Sequence, residues 1–320
     1  MSHVLVISGH PNLESSNTNT VILNELERRI DSLEVRRLDS LYPDYQIDIA
    51  AEQQALLKAD IIVLQFPFYW YSVPALLKKW IDDVFSYNFA YGSKGDKLKG
   101  KDFILSFTIG GPAESYDPLG YNHFTIEQIM HPLQQTAYLA GMNYQKPVYS
   151  HRMVYIPGVY NELTEVQDRA KAHAVRLAEQ INTLAQSSEN IIKQQIIEWF
   201  ATMDKLPENT DSFTVHLAND LMMDMPEGTF NGVNGFRDWY GTARSLFKPG
   251  CTHTIEQIDI KPNGDRYEAE LRVRLQADTQ ATSCFNGETI NILVNETWQL
   301  SLNSEGKMII HQYHVEPVAG

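Results

Sequence analysis

Cysteine is nearly absent: the 320 residues contain two, Cys251 and Cys284. That excludes a disulfide-stapled framework and a thiolate metal cluster, and it suits a reducing compartment, so the cytoplasm is the expected location. Long apolar runs are missing too. No stretch reaches the roughly 18 residues of a membrane span, and Met1 to Ser8 lacks the basic region and apolar length of a secretory signal. Positive charge is scarce, with 26 Lys+Arg against 40 Asp+Glu and a net charge of -14. Such a surface repels nucleic acid and anionic lipid, so neither is an expected partner.

What is present suits two folded domains: 43% of the residues are hydrophobic, and the length fits two units of ordinary size. A seam lies at Gln186-Ser187-Ser188-Glu189-Asn190, where one helical pattern ends in small polar residues and another begins at Ile191. It separates a domain 1–186 from a domain 190–320. Up to residue 186 there are 16 basic and 21 acidic residues, and beyond it 10 and 19, so the second part carries more of the negative charge. No internal repeat relates the two parts.

Before the seam, apolar runs alternate with helix-period segments. Strands are expected at Val4 to Ser8, Leu33 to Leu38, Ile61 to Phe66, Phe103 to Ile109 and Val148 to Met153, and helices near 18–30, 49–59, 74–85, 124–140 and 164–185. Continuous Val/Ile/Leu strands between helices indicate an α/β fold with a doubly wound parallel sheet buried on both faces. Ligands of such sheets sit beyond the carboxyl ends of the strands, which directs attention to the loops after strands one, three and four. After the seam, helices near 190–204 and 232–247 precede long alternating strands, with a strong hairpin signal at Asn263-Gly264 and a weaker one at Asn303 to Gly306. The expectation is an α+β domain of helices on a curved antiparallel sheet.

The first loop, Ser8-Gly9-His10-Pro11-Asn12-Leu13-Glu14-Ser15-Ser16-Asn17-Thr18-Asn19, joins a buried strand to a helix. Free amides and hydroxyls at Ser16, Asn17, Thr18 and Asn19, with His10, can hold a phosphate or simply cap the helix. The loop matches neither the GxGxxG fingerprint nor the lysine-bearing Walker sequence. The second loop, Pro67-Phe68-Tyr69-Trp70-Tyr71, places four consecutive aromatics at a strand end bracketed by Pro67 and Pro74, where a flat ring such as an isoalloxazine can lie. The third, Thr108-Ile109-Gly110-Gly111, lets backbone approach a planar ligand and offers amides to its carbonyl edge. Tyr91-Gly92 and the lysines from Lys94 to Lys101 would form a rim, or else a solvated loop.

Together with Leu41-Tyr42-Pro43-Asp44-Tyr45, Ile47 to Gln53, Trp70 to Pro74, Trp80-Ile81-Asp82, Val84-Phe85-Ser86 and Ala90-Tyr91-Gly92, these loops resemble the flavodoxin-like NAD(P)H:quinone oxidoreductases. The similarity is strongest to the ancillary flavoprotein subunits of Kef potassium-efflux systems. The resemblance implies FMN, with FAD as the alternative, and NAD(P)H as co-substrate. It implies phosphate contacts from His10 and Ser16 to Asn19, ring contacts from Phe68 to Tyr71, and further contacts from Thr108 to Gly111. It also implies a quinone-like acceptor reduced in a ping-pong sequence, and a homodimer with its active sites at the subunit interface. The Kef likeness raises a regulatory alternative, with an antiporter as partner and a place at the inner membrane through it. Larger quinone reductases pair a Tyr after the glycines with a His six residues on. Here Tyr116 matches, but the later position is Asn122, followed by His123.

Beyond the seam the pattern resembles the SnoaL-like fold of the nuclear-transport-factor superfamily, a cone around an apolar pocket, through Phe230, Gly232, Phe236, Trp239 and Tyr240 ahead of His253. Glu296 falls on an otherwise apolar strand face, where burial would raise its pKa. His311 is expected on the face of Ile309, Tyr313 and Val315. With His253 these form a candidate pocket, for cyclase or isomerase chemistry or, more simply, for ligand binding or capping of a dimer.

Overall fold

The computed structural model describes residues 2–318. The chain divides into two compact units between Gln186 and Ser187. The first contains β1 (Val4–Ser8), α1 (Asn19–Arg29), β2 (Leu33–Arg37), α2 (Leu38–Leu41), α3 (Ile49–Lys58), β3 (Ile61–Pro67), α4 (Ala75–Val84), β4 (Asp102–Thr108), α5 (Ile126–Leu139), β5 (Asn143–Tyr144), β6 (Val148–Ser150) and α6 (Leu163–Ala185). Its sheet is parallel in the order β2-β1-β3-β4-β5, with β6 also paired to β4. This is the expected doubly wound α/β arrangement.

Every residue of β1, β3 and β4 is buried, which is why these strands are apolar without alternation. One face packs Leu5, Ile7 and Leu64 against the α4 stripe Leu76, Leu77, Trp80, Ile81 and Val84. The other packs Val4, Val6 and Val63 against Ile22 and Leu26 of α1 and Leu177 of α6. Two strand ends differ from expectation. Leu38 is the first residue of α2, where its side chain is fully buried. The expected strand from Val148 to Met153 stops at Ser150, and a separate two-residue strand, Asn143–Tyr144, precedes it. Pro147 between them has no N–H for the ladder, and Arg152 turns away at φ 56°.

The segment that carries the family resemblance has a structural cause. Glu52 of α3 is 0% exposed and accepts from Tyr42 Oη at 2.6 Å and Trp80 Nε1 at 2.8 Å, while pairing with the Arg36 guanidinium. Burial, followed by the bond to Glu52, pushes the Tyr42 phenol up to about 12. Arg36, Tyr42, Glu52 and Trp80 thus form one cluster that ties β2, α3 and α4 together. Lys101, expected in an exposed rim, is instead buried, and its Nζ donates to the carbonyls of Leu57 and Ala59 at the end of α3.

The second unit contains α7 (Ser188–Met203), α8 (Asp211–Thr214), β7 (Leu217–Met225), β8 (Gly228–Asn231), α9 (Gly232–Leu246), β9 (Thr252–Asn263), β10 (Arg266–Asp278), β11 (Thr289–Leu302) and β12 (Met308–Pro317). It is α+β, with strand order β8-β7-β12-β11-β10-β9. The β9–β10 hairpin turns at Gly264 and the β11–β12 turn at Gly306, both at positive φ, at the two positions where the sequence signals hairpins. The sheet is not wholly antiparallel, because β7 and β12 run parallel. Leu221, Met223 and Met225 are core residues of β7. One face of the sheet packs Trp298 and Tyr313 against Trp199 and Phe200 of α7, and Phe236 and Tyr240 of α9 join the same core.

Candidate functional site

The carboxyl ends of β1, β3 and β4 converge on a cavity of about 260 Å³. It is lined by His10, Ser16, Asn17, Thr18, Asn19, Pro67, Phe68, Tyr69, Thr108 and Gly110 from the three loops identified in the sequence. Gly9 lets α4 approach the first loop, since a Cβ there would stand 2.5 Å from Leu77 Cδ2. The loop is held by Leu13 N donating to Asp39 Oδ2 at 2.6 Å, and Ser16 Oγ accepts from Asn19 N at 2.9 Å at the start of α1. None of the lining residues is Lys, Arg, Asp or Glu. An anion here would be held by amides, hydroxyls and the helix terminus rather than by a full charge. His10 fits that scheme. Burial lowers its pKa, so the ring is neutral at pH 7, and Nδ1 accepts from Asn12 N at 3.2 Å, leaving Nε2 as the donor.

The aromatic loop is a tight hairpin. Tyr69 and Ser72 exchange backbone hydrogen bonds of 3.1 and 3.0 Å across Trp70 and Tyr71. Both central residues have positive φ, 48° and 62°. Asn-Gly normally occupies such a turn, and holding two large aromatics in it stores backbone strain at a surface where Trp70 is 93% exposed. Tyr69 lines the cavity, while Tyr71 Oη donates to Asn122 Oδ1 at 3.0 Å over a second cavity of about 630 Å³, lined by Tyr71, Tyr121, Asn122, His123, Phe124 and Ile129. Tyr116 lies beside Phe68, ring centroids 6.3 Å apart, and its pKa is raised by burial and then by Tyr71. Ile109 is a core residue, and its N–H is taken by Ser150 O. Gly111 offers its carbonyl to His151 Nδ1 at 3.2 Å.

Sequence reasoning missed the loop after the last strand. Met153, Val154 and Tyr155 line the first cavity, and Tyr160 Oη donates to Gly110 O at 3.2 Å. A Cβ at Gly110 would stand 3.0 Å from Val154 Cγ2, so that glycine admits the neighbouring loop. His151 was missed too. Its ring centroid lies 5.4 Å from that of Tyr116, nearer in kind to a Tyr–His pair than Asn122 or His123, and burial lowers its pKa. The rule that ligands gather at strand carboxyl ends applies equally to this strand and could have found both.

In the second unit the three candidate residues occupy separate environments. Glu296 is buried and accepts from Trp298 Nε1 at 2.9 Å; burial raises its pKa to about 7. His253 bonds Asp204 Oδ1 through Nδ1 at 2.6 Å and stacks on Phe200. His311 does not share the face of Tyr313 and Val315. A bulge between the Gln312 and Ile310 pairings shifts the alternation by one residue and turns His311 outward, where Nε2 meets Ser301 Oγ at 2.8 Å. Among the described residues no helix is long and apolar enough to cross a membrane, and no group of three His, Cys, Asp or Glu is placed to hold a metal ion.

Comparison with known proteins places this geometry. The family Flavodoxin_2, described as having a flavodoxin-like fold, matches residues 2–180. The uncharacterized NAD(P)H oxidoreductase YdeQ of Bacillus subtilis is 40% identical over 183 residues, covering 55% of this chain and 89% of that protein. The glutathione-regulated potassium-efflux system ancillary protein KefF of Enterobacter is 45% identical over 148 residues, covering 46% and 82%. The general stress protein 14 of Treponema denticola, solved in complex with FMN, superposes with a TM-score of 0.50 at 31% identity, covering 56% of this chain and 98% of that one.

Proposed function

The chain belongs to the Flavodoxin_2 family, and from that premise we propose that it is an FMN-dependent NAD(P)H oxidoreductase that reduces quinone-like acceptors. The observation that carries this reading is the meeting, at one end of the sheet, of a cavity lined by uncharged donors with a strained aromatic hairpin and a Gly-Gly loop. The relatives point the same way through an NAD(P)H oxidoreductase and an FMN complex.

When bound, FMN would supply two-electron redox chemistry that couples NAD(P)H to a quinone-like acceptor in a ping-pong sequence. The chain's residues would bind and orient. His10 Nε2, the Ser16 to Asn19 segment and Thr108 donate to the phosphate side. Phe68, Tyr69 and Tyr71 fix the plane of the ring, with Trp70 reaching outward. The amides of Gly110 and Gly111 and the Tyr116 hydroxyl donate to its pyrimidine edge, where negative charge develops on reduction. Asn122 holds the Tyr71 hydroxyl, and with His123 it borders the acceptor side. A homodimer would use the apolar groove of Ile81, Phe85, Ile129 and Leu133, which adjoins Tyr71. The second unit, its interior occupied by aromatics, is read as a cap on that dimer rather than as a cyclase or isomerase, since Glu296, His253 and His311 each bond a different partner.

The test is the purified full chain. It should carry a yellow chromophore identified as FMN by mass spectrometry, and be bleached anaerobically by NADPH or NADH and reoxidised by a quinone. A colourless protein that binds no added FMN or FAD would sink the reading. The KefF similarity favours a second role, as a subunit of an efflux antiporter, which pull-down with the antiporter's cytosolic domain would separate from turnover.

A further inference from the structure

A continuous run of hydrogen bonds, buried through most of its length, crosses the first unit and ends at the phosphate side of the cavity. Gln65 of β3, Ser106 of β4 and His173 of α6 are each 0% exposed. Ser106 Oγ lies 2.6 Å from Gln65 Oε1 and 2.8 Å from His173 Nε2, and His173 Nδ1 lies 2.9 Å from Ser150 Oγ. At one end Arg176 Nη2 is 2.8 Å from Ser150 Oγ. At the other, Gln65 Nε2 is 2.8 Å from Asn19 Oδ1, and Asn19 Nδ2 is 3.2 Å from Thr108 Oγ1 and 3.4 Å from Thr18 Oγ1.

Counting protons fixes the direction of the run. Gln65 Oε1 can only accept, so Ser106 Oγ gives it its single proton and must itself accept from His173 Nε2. In a neutral ring Nδ1 is then an acceptor, and Ser150 Oγ, which accepts from Arg176, donates to it. The Gln65 amide donates to Asn19 Oδ1, and the Asn19 amide donates to Thr18 and Thr108. Burial, followed by the Arg176 charge, lowers His173 to about 3, so the ring is neutral throughout the working range of pH. Thr18 and Thr108 each receive a bond from Asn19 and keep a proton to give. Both line the cavity, beside a His10 whose Nε2 is also a donor.

We propose that His173 is a positioning residue that sets this proton order, and that the order makes the cavity select the phosphate of FMN over the uncharged alcohol of riboflavin. The inference rests on the flavin reading above and deepens it. His173 does not touch the ligand; it acts through Ser106, Gln65 and Asn19. With the order reversed or undetermined, Thr18 and Thr108 would turn lone pairs toward an anion and repel it.

The test compares FMN and riboflavin binding by flavin fluorescence, in the full chain and in His173→Phe, Ser106→Ala and His173→Gln. The wild type should prefer FMN. Phe, which keeps a flat aromatic ring and lacks both nitrogens, should weaken FMN binding about tenfold and change riboflavin binding less than twofold, the loss expected of a charge-assisted bond. Ser106→Ala should do the same and serves if the Phe variant does not fold. Gln offers one donor and one acceptor and should restore most of the FMN preference. Nitrogen NMR on histidine-labelled protein should find His173 neutral with the proton on Nε2. Equal losses for both flavins, no loss for either, or a proton on Nδ1 would overturn the proposal. A wild type that binds neither flavin would overturn the flavin reading instead, and the tautomer measured on that same protein would still decide the proton order.

Discussion

Each unit buries a glutamate in its core, and the two are treated differently. Glu52, in the first unit, has a cation, a phenol and an indole around its carboxylate. Glu296, in the second, has an indole N–H at 2.9 Å and the Tyr313 hydroxyl beside it, with no cation among the groups that set its pKa. A buried carboxylate with a guanidinium and two donors is compensated. One with two neutral donors is driven towards its protonated form. The first arrangement fixes β2, α3 and α4 against one another beneath the ligand loops; the second makes the stability of its unit depend on pH.

Removing the compensated carboxylate should have the largest effect. Glu52→Ala leaves Arg36 without its buried partner and Tyr42 and Trp80 without an acceptor, so the first unit should lose about 3–5 kcal/mol, measured by denaturant unfolding. A loss below about 1 kcal/mol would mean that solvent reaches the cluster and that the contrast with Glu296 is false.

The second prediction sets the units against each other through pH. Glu296 rises in the fold from its ordinary 4.5 to about 7. Its contribution is fully present below pH 4.5 and is lost as the pH rises through 7, a change of about 3 kcal/mol. His173 moves the other way, from 6.5 to about 3. Its contribution is present above pH 6.5 and is lost as the pH falls, again by about 3 kcal/mol at pH 4.5. Hydrogen exchange resolved by segment should therefore find the first unit opening more readily at pH 4.5 and the second at pH 8. The same order at both pH values would break the comparison. Glu296→Gln sharpens it: the stability of the variant relative to the wild type should grow between pH 5 and pH 8 by about the same 3 kcal/mol.

These contrasts show which features were legible in the sequence. The parallel sheet was, because β1, β3 and β4 are buried on both faces and therefore read as mostly apolar runs without alternation. So were the loops at their ends, because Pro, Gly and a run of aromatics interrupt the strand pattern where a chain turns at the surface. The site contributions of His151, Val154 and Tyr155 were not, because β6 is three residues long and Pro147 interrupts its pattern. His311 was misplaced because a bulge reverses strand parity without leaving a mark in composition. The partnership of Glu52 with Arg36, Tyr42 and Trp80 spans separations of 10 to 28 residues along the chain, which no local periodicity reports.

The smallest expected effect concerns a place where the first unit holds strain rather than compensation. Trp70 is at φ 48° and is 93% exposed, so its side chain adds little burial while its backbone sits where glycine is favoured. If the hairpin existed for stability, Trp70→Gly would weaken the fold. If the indole is there to meet a ligand, Gly should relieve the turn and raise stability by about 0.5–1 kcal/mol, while KM for a quinone acceptor rises several-fold and FMN affinity stays within twofold. Thermal melting and acceptor kinetics on the same preparation separate the two. A variant that melts lower with an unchanged KM would assign the aromatic turn to the scaffold, and the strain at Trp70 would then have no part in acceptor binding.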